Sequence, residues 1–501
     1  MAQKEEIIKR VYEITLFYRK KDLNASTGGT LLAPAPPAPS PLEVSHIQIL
    51  KKCPEPENCD RSVIHQAEDL LIRQRVEPVQ SILDSWIKGA KAQINGHDVP
   101  FSQIISWCQD ADSKDERRAI RREARSLCRF LAPFSHATWK ALLDCVENEL
   151  EYGNYLDFCH EKRGPGFGRY PRIAADFLKD SDEVYFSLMN RWLSSAVEPL
   201  EMDDADRFDA IYLLGLRYLD HTFPEKMKGG LGTDKVLDFF NTFVPEGRSI
   251  RIHSDGGKGR QAYCIPVEIP GEIHVIVGPL QGWQDLEAIF HELGHAVFFV
   301  NNSPDLSASE KDYFQSAALS EAFAFLFQAL CMSTHFLVDF LGIKPEVAQI
   351  LEALHRIKFL TLSRRYAAKV CIEHENFRKN RVAHGQDLYA RLMKRYTGFH
   401  YDPETYLFDL MPDFYSMDYF EAFMGSVTIR NFLEHSFGPR WYEGEGASMM
   451  MAWWRSGNRY CLADFLKRRL AKDTEYESLL DSASLGHDSL FENVKKMAQI
   501  I

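Results

Sequence analysis

Apolar and polar positions along most of this chain recur with the 3.6-residue period of helices that bury one face. Residues 4–22 set Ile7, Ile8, Val11, Ile14 and Tyr18 on one side, which predicts an amphipathic N-terminal helix. Residues 61–162 mix apolar and charged positions at the same spacing, 173–245 read mainly helical, and 345–395 are helical and charged. Two stretches are apolar on nearly every face. From 288 to 304 the only formally charged side chain is Glu292, and from 313 to 338 the only Asp, Glu, Lys or Arg is Glu321. Both have helix length, so both are predicted to be buried helices. The pattern changes at 251–278. Residues 261–269 and 272–277 have strand character around a Pro270-Gly271 turn, which predicts a hairpin leading directly into the first apolar helix.

Residues 24–42 are rich in Pro, Ala and Gly and read as a linker or mobile loop. The stretch from Gly164 to Gly168 is a turn signal without the Lys-Ser or Lys-Thr of a phosphate loop. The aromatic run 402–442, with Tyr406, Phe408, Phe414, Tyr415, Tyr419, Phe420 and Phe423, reads mostly as core, as do Trp453 and Trp454. No repeat of fixed period is evident. A chain of 501 residues suggests one large or two to three packed subdomains. The expected division is an N-terminal helix and linker over 1–45, a helical subdomain over 46–160, and a metal-bearing region over 161–501.

The chain carries 71 acidic and 59 basic residues, a net charge of −12, which argues against nucleic-acid binding. The Arg- and Glu-rich run 114–129 reads as a solvated helix face. This charge suits small neutral or basic peptides. No apolar stretch has the length of a membrane span or the form of a signal peptide, so no membrane association is expected. Ten cysteines are scattered, and Cys53 and Cys59 in a Pro-rich loop are read as free thiols. That pattern points to a reducing, cytoplasmic setting.

The chemistry is concentrated in the first apolar helix, which reads His291-Glu292-Leu293-Gly294-His295. Residues four apart lie on one helical face, so two imidazoles can reach one zinc ion and the Glu between them can act as general base. A catalytic zinc takes three protein ligands and keeps one position open. The third should be a nearby His, Asp or Glu, and the lone Glu321 in the second apolar helix fits. Gly294 inside the helix suggests close approach of a neighbouring backbone.

The hairpin, His291-Glu292-Leu293-Gly294-His295-Ala296 and Ser320-Glu321 together resemble the thimet oligopeptidase and oligoendopeptidase F family of zinc metallopeptidases. In that family the third-ligand Glu follows about 25 residues after the His-Glu-x-x-His motif, and 25 residues separate His295 from Glu321. The segment from Glu151 to Phe158 is similar to the family's Leu-Gly-Tyr-x-x-Tyr, and that from Met411 to Phe420 to its Pro-His-Phe-Tyr. The resemblance covers roughly 140–440. It implies a mainly α fold, a helical ellipsoid with a deep substrate channel and a small β-sheet beside the zinc helix. It implies one Zn²⁺ per chain and hydrolysis of short peptides. It also implies that a tyrosine stabilises the oxyanion, with Tyr419 the first candidate and Tyr415 the second.

The chain departs from the family at three positions. Asp413 stands where the family has His, and Glu421 and Phe423 stand where it has tyrosines. Two alternatives to an endopeptidase stay open. One is a zinc carboxypeptidase, with Arg430 or Arg440 holding the substrate's carboxylate. The other is a zinc-containing helical binding protein with little catalysis.

Overall fold

The computed structural model describes residues 2–27, 38–52, 61–164, 166–196, 198–254, 262–314, 316–472, 476, 477, 479 and 480. The Cys53/Cys59 loop, the Gly-rich stretch 255–260 and most of the Pro-rich segment lie outside them. The described residues form twenty α-helical segments and five strands in two small sheets. The fold is mainly α, as the apolar periodicity predicts. No single helix among them is long and apolar enough to cross a membrane.

Eight of these helices, in chain order, matter most for the site and its supports. They are α1 (Ala2–Ser26), α2 (Arg61–Gly89), α3 (Lys114–Asp144), α4 (Tyr155–Arg163), α5 (Trp283–Val300), α6 (Ala318–Cys331), α7 (Pro345–Arg378) and α8 (Tyr415–Phe437). The two apolar stretches are α5 and α6, and α6 lies between α5 and α8. Nearly every α6 side chain is buried. Phe323 stacks on Phe298 of α5 at 5.7 Å, and Phe325 stacks on Phe423 of α8 at 4.1 Å. Gly294 lets α5 approach the backbone of α6 closely. A Cβ there would lie 2.9 Å from the Cα of Ala324, so the expectation of a close backbone holds.

The predicted hairpin is present as β4 (Tyr263–Glu268) and β5 (Glu272–Val277), paired antiparallel. A further strand, β3 (Ile250–Ser254), pairs parallel to β5, which makes β5 central and leaves β4 at an edge. The smaller sheet, β1 (Lys91–Ile94) with β2 (His97–Pro100), corrects the all-helical reading of 61–162. Its turn is Asn95-Gly96, both at positive φ (50° and 83°), the two-residue connection that matches strand twist.

The N-terminal helix is longer than its apolar spacing suggested. It runs to Ser26 because Leu23 is buried against Val267 and Ile276 of the main sheet. Arg19 of α1 bonds both Asp312 (2.7 Å to its carboxylate) and the Val267 carbonyl (3.4 Å), which fastens α1 to the outer strand β4.

Candidate metal centre

His291 and His295 sit one turn apart on α5 with ring centroids 4.9 Å apart. Their Nε2 atoms lie 3.3 and 3.5 Å from Glu321 Oε2 on α6. Among the described residues this is the one group of three ligating side chains whose donor atoms all fall within 4.8 Å of each other. Glu321 Oε2 is buried and accepts no hydrogen bond among the described residues. A buried carboxylate oxygen without a partner is costly. Two imidazole nitrogens and one carboxylate oxygen converging on that point form the donor set of a catalytic zinc. The residues therefore fit a divalent metal.

The helix that carries the histidines also carries their support. His291 Nδ1 lies 3.0 Å from Gln328 Oε1, so the tautomer that donates there leaves Nε2 free to ligate. Gln328 Nε2 in turn donates to Glu287 Oε2 at 3.4 Å. Glu287 is buried, bonded by Lys358 and, at 3.1 Å, by His355 Nδ1. Burial pushes the Glu287 carboxyl up, but Lys358 and His355 outweigh it and hold it at about 2. This chain of side chains was not foreseen from sequence. Its one local sign is Glu287 itself, four residues before His291 on the same apolar helix.

Glu292 faces the same pocket. Its Oε2 accepts a hydrogen bond from the Cys264 N–H of β4 at 2.7 Å. Burial raises its carboxyl to about 7, with Glu321 adding to the rise and His291 and the Cys264 N–H opposing it. A carboxylate poised near neutrality is suited to take and return a proton. The bond also engages one N–H on the free edge of β4.

Tyr415 and Tyr419, on the first turns of α8, both line the pocket, with rings 5.0 Å apart. The Tyr415 hydroxyl donates to Glu321 Oε1 at 2.5 Å. The Tyr419 ring stacks on Tyr366 of α7 at 4.6 Å. Burial and then Glu321 raise the Tyr415 phenol, and Glu321 and then burial raise that of Tyr419. Both stay protonated donors at neutral pH. Glu421 and Phe423 do not line the pocket. Glu421 is buried behind α8 and bonded to Tyr170, and Phe423 is core. The two departures therefore fall outside the pocket wall.

Asp413 does line the pocket. It and Phe414 both have positive φ (60° and 52°), a costly pair for residues with side chains. Two adjacent side chains at the end of α4 hold them. Arg163 Nε donates to the Asp413 carbonyl at 2.9 Å, and its guanidinium grips the Asp418 carboxylate at 2.8 and 3.0 Å. Lys162 bridges Asp413 (2.6 Å) and Asp69 of α2 (2.7 Å). Ser316 donates to Asp418 at 2.6 Å and accepts from the N–H of Ala318, the first residue of α6. Asp418 thus ties the tyrosine-bearing turn of α8 to the start of the helix that carries Glu321, and Arg163 fastens that turn to α4. The segment from Glu151 to Phe158 joins this wall through Tyr155, whose hydroxyl accepts from the Asp413 N–H at 2.5 Å.

The cavity over the cluster measures about 390 Å³, within the usual range for small-ligand sites. Arg430 and Arg440 do not line it. Arg430 lies toward Glu434 (4.0 Å), and Arg440 is exposed and paired with Glu443 at 2.9 Å.

No family model and no curated protein matches the chain. Solved structures do. A candidate oligoendopeptidase F from Bacillus anthracis has a TM-score of 0.58 at 13% identity, over 91% of this chain and 82% of that one. A PZ peptidase A with an inhibitor gives 0.55 at 12% identity, over 91% and 84%. A candidate peptidase from Chlamydophila abortus gives 0.53 at 14%, over 92% and 80%. At such identity the likeness is one of architecture: this chain has the oligoendopeptidase F fold.

Proposed function

We propose that the protein is a zinc-dependent oligopeptidase that hydrolyses internal bonds of short peptides, as a member of the family it resembles. The observation that carries the reading is the convergence of His291, His295 and the unpartnered Glu321 Oε2, with Glu292 beside them in one pocket. Zinc held by those three residues would supply Lewis-acid polarisation of the peptide carbonyl and a water of lowered pKa. Glu292 takes a proton from the attacking water and passes it to the leaving amine. Tyr419 offers its hydroxyl to the developing oxyanion, whereas the Tyr415 hydroxyl is committed to orienting Glu321. The edge strand β4 is the natural rail for an extended peptide.

The carboxypeptidase reading needs a cation in the pocket, and no Lys or Arg lines it among the described residues. A silent binding protein has no use for a general base at Glu292, which lines the pocket. The eight cysteines described are all free thiols, in keeping with a reducing compartment, and we assign the cytoplasm. The test is cleavage of end-blocked, internally quenched peptides by zinc-loaded wild type and Glu292→Gln. Cleavage that disappears in the variant supports the reading. Zinc bound stoichiometrically with no cleavage by either would sink it.

A further inference from the structure

Four carboxylates line the metal pocket, Glu292, Glu321, Asp413 and Asp418, with no Lys or Arg among the described lining residues. Three of the four are accounted for. Glu321 and Glu292 belong to the metal site and its proton transfer. Asp418 has its own cation, the Arg163 guanidinium, in a two-point grip.

Asp413 is different. Its one ion-pair partner, Lys162, is shared with Asp69. Two carboxylates on one ammonium leave a negative charge in excess, and burial, together with Asp413, raises the Asp69 carboxyl to about 6 even with Lys162 beside it. Asp413 Oδ1 is shielded from solvent and has no hydrogen-bond partner among the described residues. The side chain as a whole is 32% exposed, and the residue lines the pocket. Its backbone is fixed at both ends, the carbonyl by Arg163 and the N–H by the Tyr155 hydroxyl. A carboxylate held this rigidly loses little freedom when a ligand meets it. The unmatched charge is also on the wall that carries Tyr415 and Tyr419, next to the reacting bond in the peptidase reading.

We propose that Asp413 is a specificity-determining residue that receives a cationic group of the peptide, an ammonium or guanidinium, beside the scissile bond. The proposal rests on the peptidase reading and deepens it. A hydrogen bond to a charged partner is strong enough to change discrimination by about tenfold or more. Its Coulomb part weakens as salt rises.

The test uses the full-length zinc-loaded protein and matched quenched peptides. One neutral, N-acetylated parent carries norleucine, Lys or Glu at single positions on either side of the cleaved bond. A free-amine version of the norleucine peptide separates an N-terminal ammonium from a side-chain cation. The expected result is a Lys-over-norleucine ratio in kcat/KM of about tenfold at one position, or the same gain for the free amine, with Glu disfavoured. In Asp413→Asn that ratio falls to within about twofold, and Asp413→Glu restores part of it. A ratio taken within one preparation does not depend on the folded fraction. Equal rates for Lys and norleucine in wild type overturn the proposal and leave the peptidase reading intact. So does a ratio that survives in Asp413→Asn. If no peptide is cleaved the peptidase reading fails, and fluorescence anisotropy of the labelled peptides reads the same ratio as Kd. Equal Kd values for Lys and norleucine then overturn this proposal too.

Discussion

Replacing Gly294 with Ala sets two small effects against each other and makes the metal centre the sensitive readout. The added Cβ would sit 2.9 Å from the Ala324 Cα and 3.4 Å from the Phe323 carbonyl oxygen. Ordinary carbon–carbon contact is about 3.5–4.0 Å, so α5 and α6 must part by roughly 0.5–1 Å. The obstacle is backbone and cannot swing aside. Overpacking of this kind costs about 1–3 kcal/mol, while Ala over Gly in a helix interior returns about 1 kcal/mol. Net stability should therefore fall by about 2 kcal/mol at most. The donor set has far less slack, since ligand distances hold to about 0.2 Å. Parting the helices pulls His291 and His295 on α5 away from Glu321 on α6. We expect zinc affinity, measured by competition with a chromophoric chelator at pH 7, to drop about 10–100-fold, in the range of supporting-residue mutations. The melting temperature of the metal-free protein should change little. A variant that binds zinc as wild type does would refute the claim that this contact sets the donor geometry.

Three further outcomes are expected. Gln328→Leu removes the acceptor at His291 Nδ1 and should lower zinc affinity about 10–100-fold by the same competition assay, with the fold intact by circular dichroism. Tyr419→Phe should lower kcat about 10²–10³-fold with zinc affinity unchanged, whereas Tyr415→Phe should weaken zinc binding because its hydroxyl holds Glu321; the reverse pattern would exchange their roles. Glu421→Gln should stabilise the protein in alkali and not in acid. Burial first, then Asp418, raises the Glu421 carboxyl from 4.5 to about 7. A raised pKa favours folding below the unfolded value and loses that contribution as pH climbs through the folded one. The loss by pH 8 is at most about 3 kcal/mol, from about 1.4 kcal/mol per unit. Melting of wild type and Glu421→Gln should therefore diverge between pH 5 and 8, and parallel curves would contradict the assignment.

The meeting of His291, His295 and Glu321 was legible because a lone carboxylate in a fully apolar helix has few explanations, and Glu292 and Glu321 were both such cases. The hairpin was legible from Pro270-Gly271 between two β-prone runs. Tyr415 and Tyr419 came from family resemblance alone, since seven aromatics in one stretch look alike without a partner. What stayed hidden was pairing over long separations. Lys162 and Arg163 sit in an ordinary charged helix end, yet they are buried and bonded to residues about 250 positions away. Lys358 and His355 were likewise hidden in a charged helical stretch. Asn95-Gly96 was a readable hairpin signal, overridden by the helical pattern around it. Glu421 stands where the family has a tyrosine, but sequence position carries no direction, and α8 turns that side chain toward Tyr170.

The Arg163 grip joins parts of the chain that are made far apart in time. Arg163, His291, His295 and Glu321 have all emerged before the segment 413–419, which follows Glu321 by about 100 residues. At about 5–20 residues per second, that gap lasts roughly 5–20 s. During it a nascent chain holds His291, His295 and Glu321 but neither tyrosine, and Lys162 and Arg163 lack the carboxylates of Asp413 and Asp418. Completion of the pocket wall is thus among the late steps of this protein's biogenesis, after the three clustered side chains of its floor have been made.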